Sequence, residues 1–327
     1  MRDKKILPSD HFDGARFFNP TLPKGYAPSR RAVFKMAREP RSRWPAWVEN
    51  SGVHRLNEMR GANEIAITFV NHATFVVQTG GITILTDPVW SERASPFRWI
   101  GPKRVRHPGV ALDDLPNIDI VLLSHNHYDH LDIATLRNLR GRFTPTVFAA
   151  AGDARLVGSL GYKILHELDW WEAIQFNDTL KITFVPAQHF SARGLFDQKK
   201  SLWGGYVIES RGRRIYFGGD SGYSTHFADI KTRLGPPDIA LLGIGSYEPQ
   251  WFMQPIHMNP VEAVHAHCDL GSRQSIGMHF GTFQLSAEAI DQPQADLKRA
   301  LSECGIPESE FVTLHEGETR VYQTDER

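Results

Sequence analysis

The sequence predicts one mixed α/β domain, on three observations. Short apolar or alternating runs of strand length recur from residue 64 onward. Helical patterns are interleaved with them throughout, the arrangement expected of layered α/β architecture. No internal repeat, long linker or low-complexity tract divides the chain. Its 327 residues are enough for one large domain or two ordinary ones.

Residues 1–60 read as an N-terminal arm, and residues 61–327 as the main α/β domain. The arm is rich in Pro, Arg and aromatics, with Phe17, Phe18, Phe34, Trp44 and Trp47 among basic residues. It carries thirteen Lys/Arg against six Asp/Glu, although the whole chain has zero formal net charge. Such an arm can wrap the core, its aromatics filling grooves, or meet anionic lipid headgroups. The neutral total gives no footprint for nucleic acid.

Strands are expected at 64–70, 74–79 and 82–86, with Gly80-Gly81 as the hairpin turn between the last two. Residues 118–124 form an apolar run that reads as a short buried strand. Further strands are expected at 146–150, 180–186, 205–209, 214–217, 239–243 and 274–278. Helices are expected at 133–140, 153–158, 260–268 and 287–303. Asn259-Pro260-Val261-Glu262 starts one of them well, with Asn as N-cap, Pro next and Glu three residues on. Cys268 and Cys304 are too few for a disulfide framework, so a reducing, intracellular setting is expected, and Cys268 reads as a buried thiol. No apolar segment follows the N-terminus as a secretory signal would, and no run of about 18 apolar residues exists.

The densest chemistry lies at His125-Asn126-His127-Tyr128-Asp129-His130. Three imidazoles and a carboxylate leave the end of a strand and enter a loop, where side chains can converge on one point. Imidazole and carboxylate suit zinc and similar borderline divalent ions. Three later apolar strands each end in a further donor, His189, Asp220 and His279. The expected assignment places His125, His127 and His189 on one ion. Asp129, His130 and His279 take a second, and Asp220 bridges the two. Two Zn(2+) per chain are expected, and Fe or Mn could occupy the same donors. Gly218-Gly219 reads as a place where backbone approaches an ion closely. A bound ion lowers the pKa of water to about 7, supplying hydroxide as a nucleophile, and paired ions suit in-line displacement at phosphorus. The same centre would serve a lactone, thioester or amide.

These motifs resemble the metallo-β-lactamase superfamily, and within it the N-acylphosphatidylethanolamine-hydrolysing phospholipase D family. The narrower likeness rests on Asn71-His72-Ala73-Thr74, Leu85-Thr86-Asp87-Pro88, Arg93-Ala94-Ser95-Pro96 with Gly101-Pro102-Lys103-Arg104, and Glu167 through Glu172. It continues through Pro186-Ala187-Gln188-His189, Gly219 through Tyr223, Tyr247 through Met253, and Met278 through Phe283. The resemblance implies a four-layer αββα sandwich with a dinuclear site at one edge of the two sheets. It implies hydrolysis of the phosphodiester of N-acylated phosphatidylethanolamine to N-acylethanolamine and phosphatidic acid. It also implies a substrate-facing role for His257, so the expected catalytic set is Asp129, Asp220 and His257. A lipid-facing surface and a homodimer are implied too, hence a cytoplasmic protein touching the inner membrane face. Two other readings compete with it. One is a hydrolase of soluble sugar-phosphate lactones or of nucleotide or cyclic phosphodiesters on the same fold. The other is a non-catalytic lipid-binding or oligomeric scaffold that keeps metal for stability.

Trp251, Phe252 and Met253 are expected to line the substrate path. Lys103, Arg104 and Arg106 could receive phosphate or form a solvated basic loop. His72 could line the site or serve structure. Trp170 and Trp171 read as core packing rather than an acyl channel wall. His11, His54, His107, His166, His226, His265, His267 and His315 read as structural or surface residues.

Overall fold

The computed structural model describes residues 7–23, 26, 29–36, 38–51, 56, 64–194 and 196–323; His54 lies outside them. The first half of the chain builds one sheet from β1 (Glu64–Asn71), β2 (Thr74–Thr79), β3 (Ile82–Thr86), β4 (Ile120–Leu122), β5 (Thr146–Ala150) and β6 (Leu165–Leu168). The second half builds another from β7 (Ala173–Asn177), β8 (Leu180–Val185), β9 (Gly205–Ser210), β10 (Arg213–Phe217), β11 (Ile239–Gly243), β12 (Gln274–Met278) and β13 (Phe311–Val312). Strand β14 (Thr319–Gln323) crosses back and pairs antiparallel with β1, so among the described residues both sheets have seven strands. Each sheet begins as an antiparallel meander and ends as a parallel run.

Strand alternation explains why several strands are apolar without interruption. Leu85, Val121 and Val147 are register partners, and all three join the core beneath the helices α2 (Ile133–Arg142) and α3 (Ala154–Gly158). Their neighbours Ile84, Ile120, Leu122 and Phe148 point the other way, into the core between the sheets. A strand buried on both faces must be apolar at every position. The second sheet is covered by α4 (His226–Leu234), α6 (Pro260–Leu270) and α7 (Gln292–Cys304), which pack on one another and on β11. The layers run helix, sheet, sheet, helix, as expected.

Helix α6 has the full capping box: Glu262 N donates to Asn259 Oδ1 and Asn259 N donates to Glu262 Oε2. The helix expected over 287–303 begins later, at Gln292. Pro293 has no N–H and is tolerated only in a first turn. Glu288 instead accepts from Ser246 N and Glu248 N, which ties that segment to the loop after β11. Cys268 is exposed, not buried, because it lies on the outer face of α6. Strands β6, β7, β13 and β14 and helices α1 (Arg30–Met36), α4 and α5 (Gln250–Met253) were not expected from the sequence.

Residues 7–23 are packed against the domain. Phe12 and Phe17 belong to the core between the sheets. His11 stacks on Trp170 and bonds Asp169, while Trp170 donates to Trp203 O, so these rings are packing elements as expected.

Candidate metal centre

The donors collect at one edge of the sandwich because each follows the end of a strand. The loop after β4 carries His125, His127, Asp129 and His130. His189 follows β8, Asp220 follows β10 and His279 follows β12. His279 has left-handed backbone, φ +64, a rare state for a residue with a Cβ, and its N–H donates to His72 O at 2.8 Å.

Two groups of donor atoms meet at Asp220. His127 Nδ1 lies 2.9 Å from His125 Nε2 and 3.2 Å from His189 Nε2. Asp220 Oδ2 lies 3.9 Å from His125 Nε2 and 3.7 Å from His189 Nε2. On its other side the same oxygen lies 3.1 Å from both His130 Nε2 and His279 Nε2. Those two nitrogens are each 3.5 Å from Asp129 Oδ2. Ligands about 2.0–2.1 Å from one tetrahedral zinc are roughly 3.3 Å from one another, so these separations fit a cation in each group.

The hydrogen bonds behind the rings support that fit. His125 Nδ1 donates to Ser124 Oγ at 2.9 Å, His130 Nδ1 to Asp87 Oδ2 at 2.7 Å, and His189 Nδ1 to Ile256 O at 2.9 Å. A neutral ring that spends its N–H outward turns the bare Nε2 lone pair inward. His130 Nε2, His279 Nε2 and Asp220 Oδ1 are buried without a hydrogen-bond partner. Buried polar atoms are rarely left so unless something else satisfies them.

Electrostatics divide the centre. Burial pushes His127 down to about 3 and His189 to about 4, and holds His125 well below the usual imidazole value, so all three offer lone pairs at neutral pH. Burial acts the same way on His130 and His279, but Asp220 and Asp129 outweigh it. His279 rises to about 9 and His130 stands well above its ordinary value. Burial would raise Asp129 and Asp220, yet the facing imidazoles hold both well below the usual carboxylate range. A pocket that draws positive charge in this way suits a divalent cation.

His257 is half-buried, with its ring 5.0 Å from that of His189 and 5.2 Å from that of His279, so it faces both groups. The three residues expected to line the substrate path part company, since successive helical positions point about 100° apart. Phe252 lines an apolar crevice of about 70 Å³ beside His189, with Phe190, Ile256, Tyr26 and Asn19. Trp251 points outward, under Lys35 and bonded to Glu39. Met253 is buried and does not line an open surface. Arg104 is buried rather than solvated: Nε donates to Ser91 O and Nη2 to Val89 O, Nη1 has no hydrogen-bond partner, and the guanidinium lies over Phe283. Arg106 pairs with Glu316 at 2.6 Å, and Lys103 is exposed. Gly219, φ +58, is required by packing: a Cβ there would stand 2.8 Å from both Gly204 O and Ser124 Cβ.

Asp87 and Ser124 escaped the sequence reading as parts of the site. Ser124 Oγ donates to Asp87 Oδ2 and accepts from His125, so Asp87 governs two of the rings. The signal was available, because Asp87 also stands at the tip of an apolar strand.

The αββα sandwich with a His/Asp centre at its edge defines a metal-dependent hydrolase. Residues 83–280 match the beta-lactamase superfamily domain. Over 280 residues the chain is 37% identical to N-acyl-phosphatidylethanolamine-hydrolyzing phospholipase D 1 of Caenorhabditis elegans, covering 81% of this chain and 79% of that protein. It is 38% identical over 224 residues to the mitochondrial N-acyl-phosphatidylethanolamine-hydrolyzing phospholipase D of Saccharomyces cerevisiae, covering 67% of this chain and 48% of that one. Among solved structures, a metallo hydrolase from the archaeon Ignicoccus hospitalis superposes with a TM-score of 0.62 at 22% identity, covering 80% of this chain and 99% of that one. The chain belongs to the metallo-β-lactamase superfamily, close to its N-acylphosphatidylethanolamine-hydrolysing phospholipases D.

Proposed function

We propose that this hydrolase cleaves the headgroup-side phosphodiester bond of N-acylated phosphatidylethanolamine. The identity with the Caenorhabditis elegans enzyme across four-fifths of the chain carries the reading. His125, His127 and His189 hold one divalent cation, Asp129, His130 and His279 a second, and Asp220 lies between them. Zinc suits this nitrogen and oxygen set, and Fe or Mn share the preference. When bound, such cations polarise phosphoryl oxygens and lower the pKa of water toward 7.

The chain's own groups do the rest. Asp129 and Asp220 are ionised and fix the net charge of the pocket. His257, kept neutral by burial, stands with its ring 5.0 Å from that of His189 and 5.2 Å from that of His279 and carries a proton there. The oxygen of water forms the new bond to phosphorus, and the bond from phosphorus to the ethanolamide oxygen breaks. The proton released by water passes to that oxygen, giving N-acylethanolamine and phosphatidic acid. The apolar crevice beside His189 supports an alkyl substituent next to the reacting phosphate.

Peripheral contact with a phospholipid surface belongs to the same proposal. Among the described residues no helix is long and apolar enough to cross a membrane. Helix α1 exposes Val33 and Phe34, Arg38 lies over the Phe34 ring at 4.1 Å, and Lys35 lies over exposed Trp251 at 4.3 Å. Cations set on exposed aromatics suit anionic headgroups. The resemblance extends the proposal to a homodimer, read by light scattering.

The test is a paired assay on zinc-loaded protein, with N-acylphosphatidylethanolamine in mixed micelles in one arm and a soluble aryl phosphodiester and a lactone in the other. N-acylethanolamine seen by mass spectrometry, and lost on chelation, is the expected result. Turnover of the soluble compounds with the lipid untouched would overturn it.

A further inference from the structure

We propose that His72 is the positioning residue of the second cation group. Its side chain holds the Asp129 carboxylate and its carbonyl holds the His279 backbone. One residue in the β1–β2 turn thereby sets the separation of two ligands that arrive from different sheets. This rests on the two-cation reading above.

His72 is buried, 1% exposed, with left-handed backbone at φ +49. Its Nε2 is 3.0 Å from Asp129 Oδ2, its N–H donates to Thr282 Oγ1 at 3.0 Å, and its carbonyl accepts from His279 N at 2.8 Å. The ring lies 4.0 Å from that of His279 and meets Phe283 edge-on at 5.4 Å. Arg104 lies over the Phe283 ring, which closes the stack from outside. Two of these contacts, the one from Nε2 and the one to the carbonyl, end on the proposed ligands Asp129 and His279.

The protonation of the ring follows from its surroundings. Nδ1 is buried without a partner, whereas Nε2 faces a carboxylate oxygen, which places the proton on Nε2. A carboxylate oxygen has two lone-pair directions. One of those on Asp129 Oδ2 takes the His72 proton, and the other remains for the cation that His130 and His279 also face. Without the His72 donor the carboxylate could rotate away. Without the His72 carbonyl, His279 would lose the bond that holds its left-handed backbone.

The test measures metal rather than turnover. Wild type, His72→Phe, His72→Asn and His72→Gln are each titrated with a chromogenic zinc chelator, their zinc content is measured, and the metal-free forms are melted. Phe keeps the ring packing without a donor. Asn suits left-handed backbone but is too short to reach Asp129. Gln can bring an amide N–H to the same oxygen. Wild type should hold two zinc ions. Phe and Asn should loosen one of them by about 10- to 100-fold and leave the other unchanged, with metal-free melting close to wild type, and Gln should recover most of the loss. The positioning role is overturned if Phe and Asn keep both ions at wild-type affinity. It is also overturned if they weaken both equally along with metal-free stability, the mark of a packing residue. Wild type that holds a single zinc refutes the two-cation reading alone, and the Phe and Asn effects on that ion then decide the role of His72.

Discussion

Asp87 and His130 form a buried carboxylate–imidazole pair, Oδ2 to Nδ1 2.7 Å, with neither side chain open to solvent. The pair fixes which nitrogen of His130 faces the centre, and Ser124 relays the same control to His125.

Asp87→Asn keeps the shape but can present an amide N–H where His130 needs an acceptor. Zinc affinity should fall about 10- to 100-fold, measured by chelator competition. Asp87→Ala should also unfold more easily, by roughly 3–5 kcal/mol, because three donors lose their acceptor. Unchanged zinc affinity in the folded Asn variant would count against control of the ring by Asp87.

Asp220→Ala and His257→Ala separate binding from proton transfer. The first should lose both zinc and turnover, since Oδ2 of Asp220 is shared between the two donor groups. The second should keep its zinc and lose roughly 10²–10⁴-fold in kcat. Substantial turnover by folded Asp220→Ala would sink the proposed site, and full kcat in His257→Ala would remove its proton-carrying role.

Asp153 gives a pH prediction. Burial pushes its carboxyl up to about 7, against the hydrogen bonds from Ser201 and Asn126. A carboxyl with a raised folded-state pKa favours the folded state most when protonated. That contribution is full below the ordinary value near 4 and is lost as pH rises through about 7. Asp153→Asn does not titrate. Its stability relative to wild type should therefore rise by about 1–3 kcal/mol between pH 5 and pH 8, read from urea melts. A constant difference across that range would show that Asp153 titrates normally.

Phe34 and Trp251 test the surface contact. Phe34→Ser with Trp251→Ser should weaken binding to vesicles containing anionic phospholipid and leave hydrolysis of a soluble phosphodiester unchanged. Truncation is a poorer test than these substitutions, because Phe12, Phe17 and Asn19 are built into the domain, the last donating to His189 O. Vesicle binding unaffected by the double change would place the contact elsewhere.

Much of the frame was legible because burial writes itself into composition. Strands β2, β3, β5, β11 and β12 fall where apolar runs predict them, since a strand covered on both faces tolerates little else. The unexpected strands β7 and β14 have partly exposed faces, and so carry no unbroken apolar run. The seven proposed ligands were legible for a related reason: each stands where an apolar strand ends. Phe252 and Met253 were not separable, because a short helical turn sends neighbours to a crevice and to the interior.

The sequence by itself determined the buried strands and the helices α2, α3 and α6, the donor types and their places at strand tips. These are properties of local periodicity and of single side chains. Only the tertiary structure decided which donors share an oxygen of Asp220, that Asp87 and Ser124 set the tautomers of His130 and His125, and that His72 stands behind Asp129. Those relationships join residues from opposite halves of the chain or from separate loops. They depend on how the strand ends are brought together in space, and no periodicity in one segment encodes the direction of a ring in another.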